Sequence, residues 1–170
     1  FSYLLANEFW KNKWAAFCLS VLYIYLPYRM VNLYVRGSIG ESIGFVLYAS
    51  TLYFLLLVLS TKKSLFMVLL SFSFAALIMA HNIMAVYFLP IIFIVLLFNF
   101  SKKNLRPALY SLISIFFAFG LSAFFWLPAI LEKNLVALSQ TPIANRGYYF
   151  LQPFDLILPK WGYGIPDSAS

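Results

Sequence analysis

An all-α, polytopic bundle of membrane-spanning helices is the fold class this sequence predicts, and three observations lead there. The 170-residue chain is 64% hydrophobic and 10% charged, where an average soluble domain is about a quarter charged. Five long apolar runs are separated by short polar breaks. Positive charges gather at alternate breaks: Lys11 and Lys13, then Lys62 and Lys63, then Lys102, Lys103 and Arg106. A chain this short leaves much of its surface exposed on folding, so water cannot be the solvent for so many apolar side chains. Short loops rich in Lys and Arg stay on the cytoplasmic side of a membrane. The Lys62-Lys63 and Lys102-Lys103 loops are therefore expected to be cytoplasmic, and the Arg36 and His81 turns extracytoplasmic, in a multi-pass protein of the cell membrane.

The first span is expected over about 14–27. Trp10 and Trp14 mark one interfacial belt, Tyr23, Tyr25 and Tyr28 mark the other, and Pro27 ends or kinks the helix. Tyr28 to Glu41 is too polar for the bilayer centre and too apolar for a free loop, which predicts a short amphipathic helix at the outer surface. The second span covers about 42–60. From Ser64 to Phe100 the chain is apolar apart from His81-Asn82. One helix of that length would overshoot the bilayer, so two spans, about 64–80 and 83–99, meet at a tight outer turn. Pro90 is tolerable inside the second because neighbouring helices or water can satisfy the freed carbonyl. A fifth span runs over about 107–128, with Trp126 and Pro128 at its outer end. The expected domains are thus a helix bundle, 1–128, and a truncated extracytoplasmic segment, 129–170.

Residues 41–65 laid on 81–105 pair Glu41 with His81 and Lys62-Lys63 with Lys102-Lys103. That echo fits an internal duplication, and two helical hairpins of equal length produce the same spacing without one. Cys18 is the single cysteine and lies in an apolar run, which rules out a disulfide within the chain. The sequence opens at Phe1 and stops in a polar stretch, and it is expected to be an internal fragment of a longer membrane protein. The net charge of +7 is spread over loops and forms no stripe. Membrane lipids are therefore the expected partners and nucleic acid is not. Oligomeric state is not legible.

Ionisable groups at the edge of a membrane bundle are expensive and invite a functional reading. Arg36 and Glu41 flank Gly37 and Gly40, and a helix broken there would turn both side chains toward one cleft. A guanidinium suits a phosphate through its bidentate fork. Glu41 would hold Arg36 in place or contact a sugar hydroxyl. Arg29 is a further candidate for contact with the substrate. The plainer alternative has Arg29 and Arg36 reaching lipid headgroups, with Glu41 pairing one of them. His81, the lone histidine, and Asn82 beside it are candidates for a polar contact to Arg36, Glu41 or a substrate headgroup, or else simply cap a turn. One histidine without neighbouring ligands predicts no metal site. Asp155, among Trp161, Tyr163 and other aromatics of the tail, is a candidate ligand contact. No nucleotide-binding, nucleophile-elbow or cysteine-metal pattern occurs, so no catalytic residue is named and no cofactor is expected in this fragment.

Three strings carry a family resemblance: LPYRMVNLYVRGSIGESIGFVLY (Leu26–Tyr48), AHNIMAVYFLP (Ala80–Pro90) and GLSAFFWLPAILEKNLV (Gly120–Val136). In order, they resemble the 6-pyruvoyl-tetrahydropterin synthase-related membrane protein domain family, which is in turn similar to membrane glycosyltransferases of the C-type fold. The soluble pterin enzyme behind that name needs a cluster of histidines, which this sequence lacks. The resemblance implies a polyprenyl-phosphate sugar donor and transfer on the outer face. It also implies a catalytic acid in a loop upstream of Phe1. Arg36, Glu41, His81 and Asn82 match polar positions of the family pattern. Two other readings stand beside a glycosyltransferase: a transporter or flippase for a lipid or small solute, and a non-catalytic scaffold subunit.

Overall fold

The computed structural model describes residues 1–99, 105–132 and 135. Among these the chain is wholly helical, with eight α-helices and no strand. Lipid-facing segments can only be helices or closed barrels, because every backbone polar group must find its partner inside the element. Nearly all described residues belong to one compact unit, Phe1–Ala129; a second unit, Ile130–Ser170, lies largely outside them. The Lys102-Lys103 break and Asp155 are likewise outside the described residues.

Helix α1 (Ser2–Trp10) was not expected. Lys11, in a left-handed conformation, ends it, and Asn12 starts α2 (Lys13–Ile24) by accepting the backbone N–H groups of Trp14 and Ala15 at 3.0 and 3.2 Å. This is the side-chain cap that satisfies orphan donors at a helix start. The first span, expected over about 14–27 and ended or kinked at Pro27, is α2, and it stops three residues before that proline. The chain leaves the helix at Tyr25 and resumes with Pro27 as the first residue of α3 (Pro27–Met30), a position where proline's missing N–H is harmless. A π-turn, Val31–Val35, follows, so the expected surface helix reaching Glu41 is a four-residue helix and one wide turn.

Helix α4 (Ile39–Thr61) is the longest, at 23 residues, and ends in the left-handed Lys62. Glu41 and Lys62 are 21 residues apart on it, about 32 Å of helix, which matches a hydrocarbon core of about 30 Å. Helices α5 (Ser64–Ala80) and α6 (Asn82–Asn99) follow, joined at His81, whose backbone is extended. Helix α7 (Leu105–Leu121) and α8 (Ala123–Leu131) meet at a 65° bend in place of the straight fifth span expected over 107–128. At that bend Ser122 donates to the Ala118 carbonyl at 2.9 Å, and the Trp126 indole N–H donates to the Phe119 carbonyl at 3.0 Å. Carbonyls freed by the kink thus find side-chain partners, the usual condition for a sharp bend.

Helices α4 and α6 are each long and apolar enough to cross a membrane alone. The bent pairs α2 with α3 and π-turn, and α7 with α8, raise the number of candidate spans to four. Five were expected. Helix α5, with 17 residues, lies at the short edge of what spans a bilayer. Its packing explains why it need not be longer: α5 is sandwiched by α4 and α7, with Leu70, Phe74 and Leu77 fully buried against Leu55 and Val58 of α4. Hydroxyls bind the same helices. Ser73 meets Ser50 at 2.6 Å and Thr51 at 2.9 Å, and Ser71 donates to the Ser114 carbonyl at 2.9 Å. Such small polar residues let membrane helices approach closely and hold them together. The outward faces are the reverse: Trp14, Phe98 and Phe116 are more than three-quarters exposed, as lipid-facing side chains should be.

Candidate functional site

The polar cluster at the start of α4 grows from a local rule. Tyr28, Asn32 and Arg36 stand four residues apart, a spacing that stacks side chains on one helical face. The turn must then release the chain. Arg36 N–H reaches back five residues to the Val31 carbonyl at 2.9 Å, closing the π-turn. Gly37 takes φ +61°, a left-handed conformation that only glycine adopts freely, and Ser38 N–H bonds the Asn32 carbonyl at 2.9 Å. Helix α4 starts two residues later, with Glu41 in its first turn, where the positive end of the helix dipole favours a carboxylate.

The Glu41 carboxylate collects donors from three elements. Its Oε2 accepts from Asn32 Nδ2 at 2.6 Å, Tyr28 Oη at 3.0 Å and Arg36 Nη1 at 3.3 Å. Its Oε1 lies 3.3 Å from Arg36 Nη2 and 3.7 Å from His81 Nε2. Met84 N–H donates to His81 Nδ1 at 3.3 Å, which leaves Nε2 on the side of Glu41. Asn32 is fully buried and also accepts from Arg36 Nη1 at 2.8 Å. Glu41's side chain is 13% exposed, whereas that of Arg36 is 49% exposed. One edge of the guanidinium is therefore clamped and the rest faces out. That arrangement presents a planar, pre-oriented cation able to meet an anion through two parallel N–H groups.

The α5–α6 corner comes this close because α4 carries two glycines on the contact face. A β-carbon on Gly40 would lie 2.7 Å from the Ala80 carbonyl oxygen, and one on Gly44 would lie 2.6 Å from Met84 Sδ. Small residues four apart are the membrane device for close helix approach.

Arg36, Glu41 and His81 are thus neighbours. Asn82 is not part of the cluster: it is exposed, starts α6, and accepts its neighbour Ile83's N–H at 2.8 Å. Arg29 stands apart too, with its guanidinium over the rings of Tyr23 (5.4 Å) and Phe45 (5.7 Å). Tyr28 and Asn32 were missed by sequence reasoning. The four-residue spacing Tyr28–Asn32–Arg36 and the Gly40-x-x-x-Gly44 pattern were the signals that would have found them. Among the described residues no group of three metal-ligating side chains forms.

An all-helical membrane domain with a half-buried ion-pair cluster at one end of its longest span is the class that fold and site define. The chain belongs to the 6-pyruvoyl-tetrahydropterin synthase related domain family, a membrane protein family whose model matches residues 1–145. No curated protein and no solved structure matches it.

Proposed function

We propose that this chain is a section of an integral membrane glycosyltransferase-like protein, and that its Arg36 cluster receives the phosphate of a polyprenyl-phosphate-linked sugar at the extracytoplasmic face. The observation that carries the reading is the half-exposed guanidinium anchored by Glu41, Asn32 and Tyr28 at one border of an apolar bundle. A donor tethered in the bilayer presents its phosphate at that depth. A pre-oriented cation there offsets the charge that grows on the departing phosphate, the same role donors play at any developing oxyanion. In this reading His81, which approaches the same Glu41 oxygen as Arg36, meets the sugar or a second phosphate oxygen. The positive-inside pattern of Lys62-Lys63 supports an extracytoplasmic position for this end. A carrier would instead put charged groups near the middle of its spans on broken helices. Here Ser50, Thr51 and Ser73 occupy mid-bundle positions and satisfy one another.

The test is donor-dependent sugar transfer by the full-length protein in proteoliposomes. Arg36→Ala should lower turnover about a hundredfold or more at unchanged expression, and Arg36→Lys should restore part of it, since a lysine keeps the charge without the fork. Unchanged turnover in Arg36→Ala removes the phosphate role.

A further inference from the structure

Two hollows lie end to end along the wall where α1, α4 and α6 meet. The first encloses about 420 Å³ and is walled by Leu5, Ala6, Tyr48, Leu52 and Ile91. The second encloses about 480 Å³ and is walled by Leu56, Ser60, Lys62 and Asn99, with Glu8 at its rim. Phe9 is a wall of both. Along α4 the pair extends from Tyr48 to Lys62, 14 residues or about 21 Å. The slot is carbon-lined at one end and polar at the other.

The far end owes its apolar character to two tied-back hydroxyls. Tyr23 donates to the Phe45 carbonyl at 2.6 Å and Tyr48 to the Met84 carbonyl at 2.7 Å, which leaves ring faces as walls. At the near end Glu8 is already engaged by Lys11 at 2.6 Å. Among the described residues Lys62 therefore supplies the cation of the polar hollow, at the left-handed position that ends α4. A further transmembrane helix laid in this slot would cover that ammonium with hydrocarbon, at high desolvation penalty. An anionic headgroup meets it with opposite charge, and an acyl chain fits the carbon-lined remainder.

We propose that this slot binds one anionic phospholipid, its phosphate at Lys62 and one acyl chain running toward Tyr48. The site is separate from the Arg36 cluster, none of whose residues lines either hollow. The experiment reconstitutes full-length protein in nanodiscs of equal phosphatidylglycerol and phosphatidylcholine, extracts it in mild detergent, and counts retained lipids by native mass spectrometry. One phosphatidylglycerol per chain is expected. Lys62→Asn, which keeps the left-handed backbone and removes the charge, should lower its retention about fivefold. Leu56→Trp, which fills the slot, should remove it. Because Lys62 is exposed, the Asn variant keeps the test decisive if the Trp variant misfolds. Equal retention of both lipids, retention unchanged in Lys62→Asn, or a second protein copy covering the slot without lipid would each overturn the proposal.

Discussion

Gly40 and Gly44 share a helix face, yet alanine at each should have unequal consequences. At Gly40 the new methyl would stand 2.7 Å from the Ala80 carbonyl oxygen, and ordinary contact begins at 3.4 Å. Backbone cannot swing aside, so α4 and the α5–α6 corner must part by about 0.7 Å, the difference between those distances. Overpacking of this kind costs about 1–3 kcal/mol. The helix gains back at most about 1 kcal/mol from replacing glycine, less near its first turn. Gly40→Ala should therefore be destabilised by about 1–2 kcal/mol. At Gly44 the obstacle is Met84 Sδ at 2.6 Å and its methyl at 3.1 Å, the far end of a flexible thioether that can rotate away. Gly44→Ala should lie within about 0.5 kcal/mol of the parent. The assay is reversible unfolding of the purified protein by sodium dodecyl sulfate in mixed micelles. If Gly40→Ala proves as stable as Gly44→Ala, the close approach of α4 to the Ala80 carbonyl is wrong, and with it the contact that brings His81 to Glu41.

Other outcomes can be stated briefly. Asn32→Leu leaves two charged partners without the buried amide that bonds both, and should lose about 2–3 kcal/mol in the same unfolding assay. A loss under about 0.5 kcal/mol would mean the amide contributes little to holding the cluster. In a Cys18→Ser background, a cysteine at Ser38 should react with an impermeant maleimide added outside intact cells, and one at Ser64 should not. Labelling at Ser64 alone would invert the orientation.

Much of this architecture could be read from composition and spacing, because lipid imposes few choices on a backbone. The break at His81-Asn82, the stop at Lys62 and the interruption at Pro27 were each legible, since each depends on a residue that interrupts an apolar run. Helix α1 was not. It is nine residues long, interrupted by Asn7 and Glu8, and held by packing on α2 and α4, and short helices owe their stability to such contacts. The bend at Ser122 was hidden for a different reason. The apolar run continues straight through it, and the Trp126 indole that satisfies the freed carbonyl lies seven residues from its partner. At the site, Arg36, Glu41 and His81 announced themselves as rare ionisable groups. Asn32 did not, because a buried amide in an aromatic-rich stretch carries no charge to mark it, and its importance arises only when the π-turn delivers Glu41 to the same face.

The two helices that meet at His81 measure 17 and 18 residues, about 26 and 27 Å of rise, beside about 35 Å for α4. They are a few ångströms shy of a typical hydrocarbon core. A bilayer answers such mismatch by thinning locally. Thinning at the corner nearest Glu41 would draw water and headgroups down toward the carboxylate. Swapping thin-tailed for thick-tailed lipids thereby becomes a dial on how wet this end of the bundle is, with no change to a single residue.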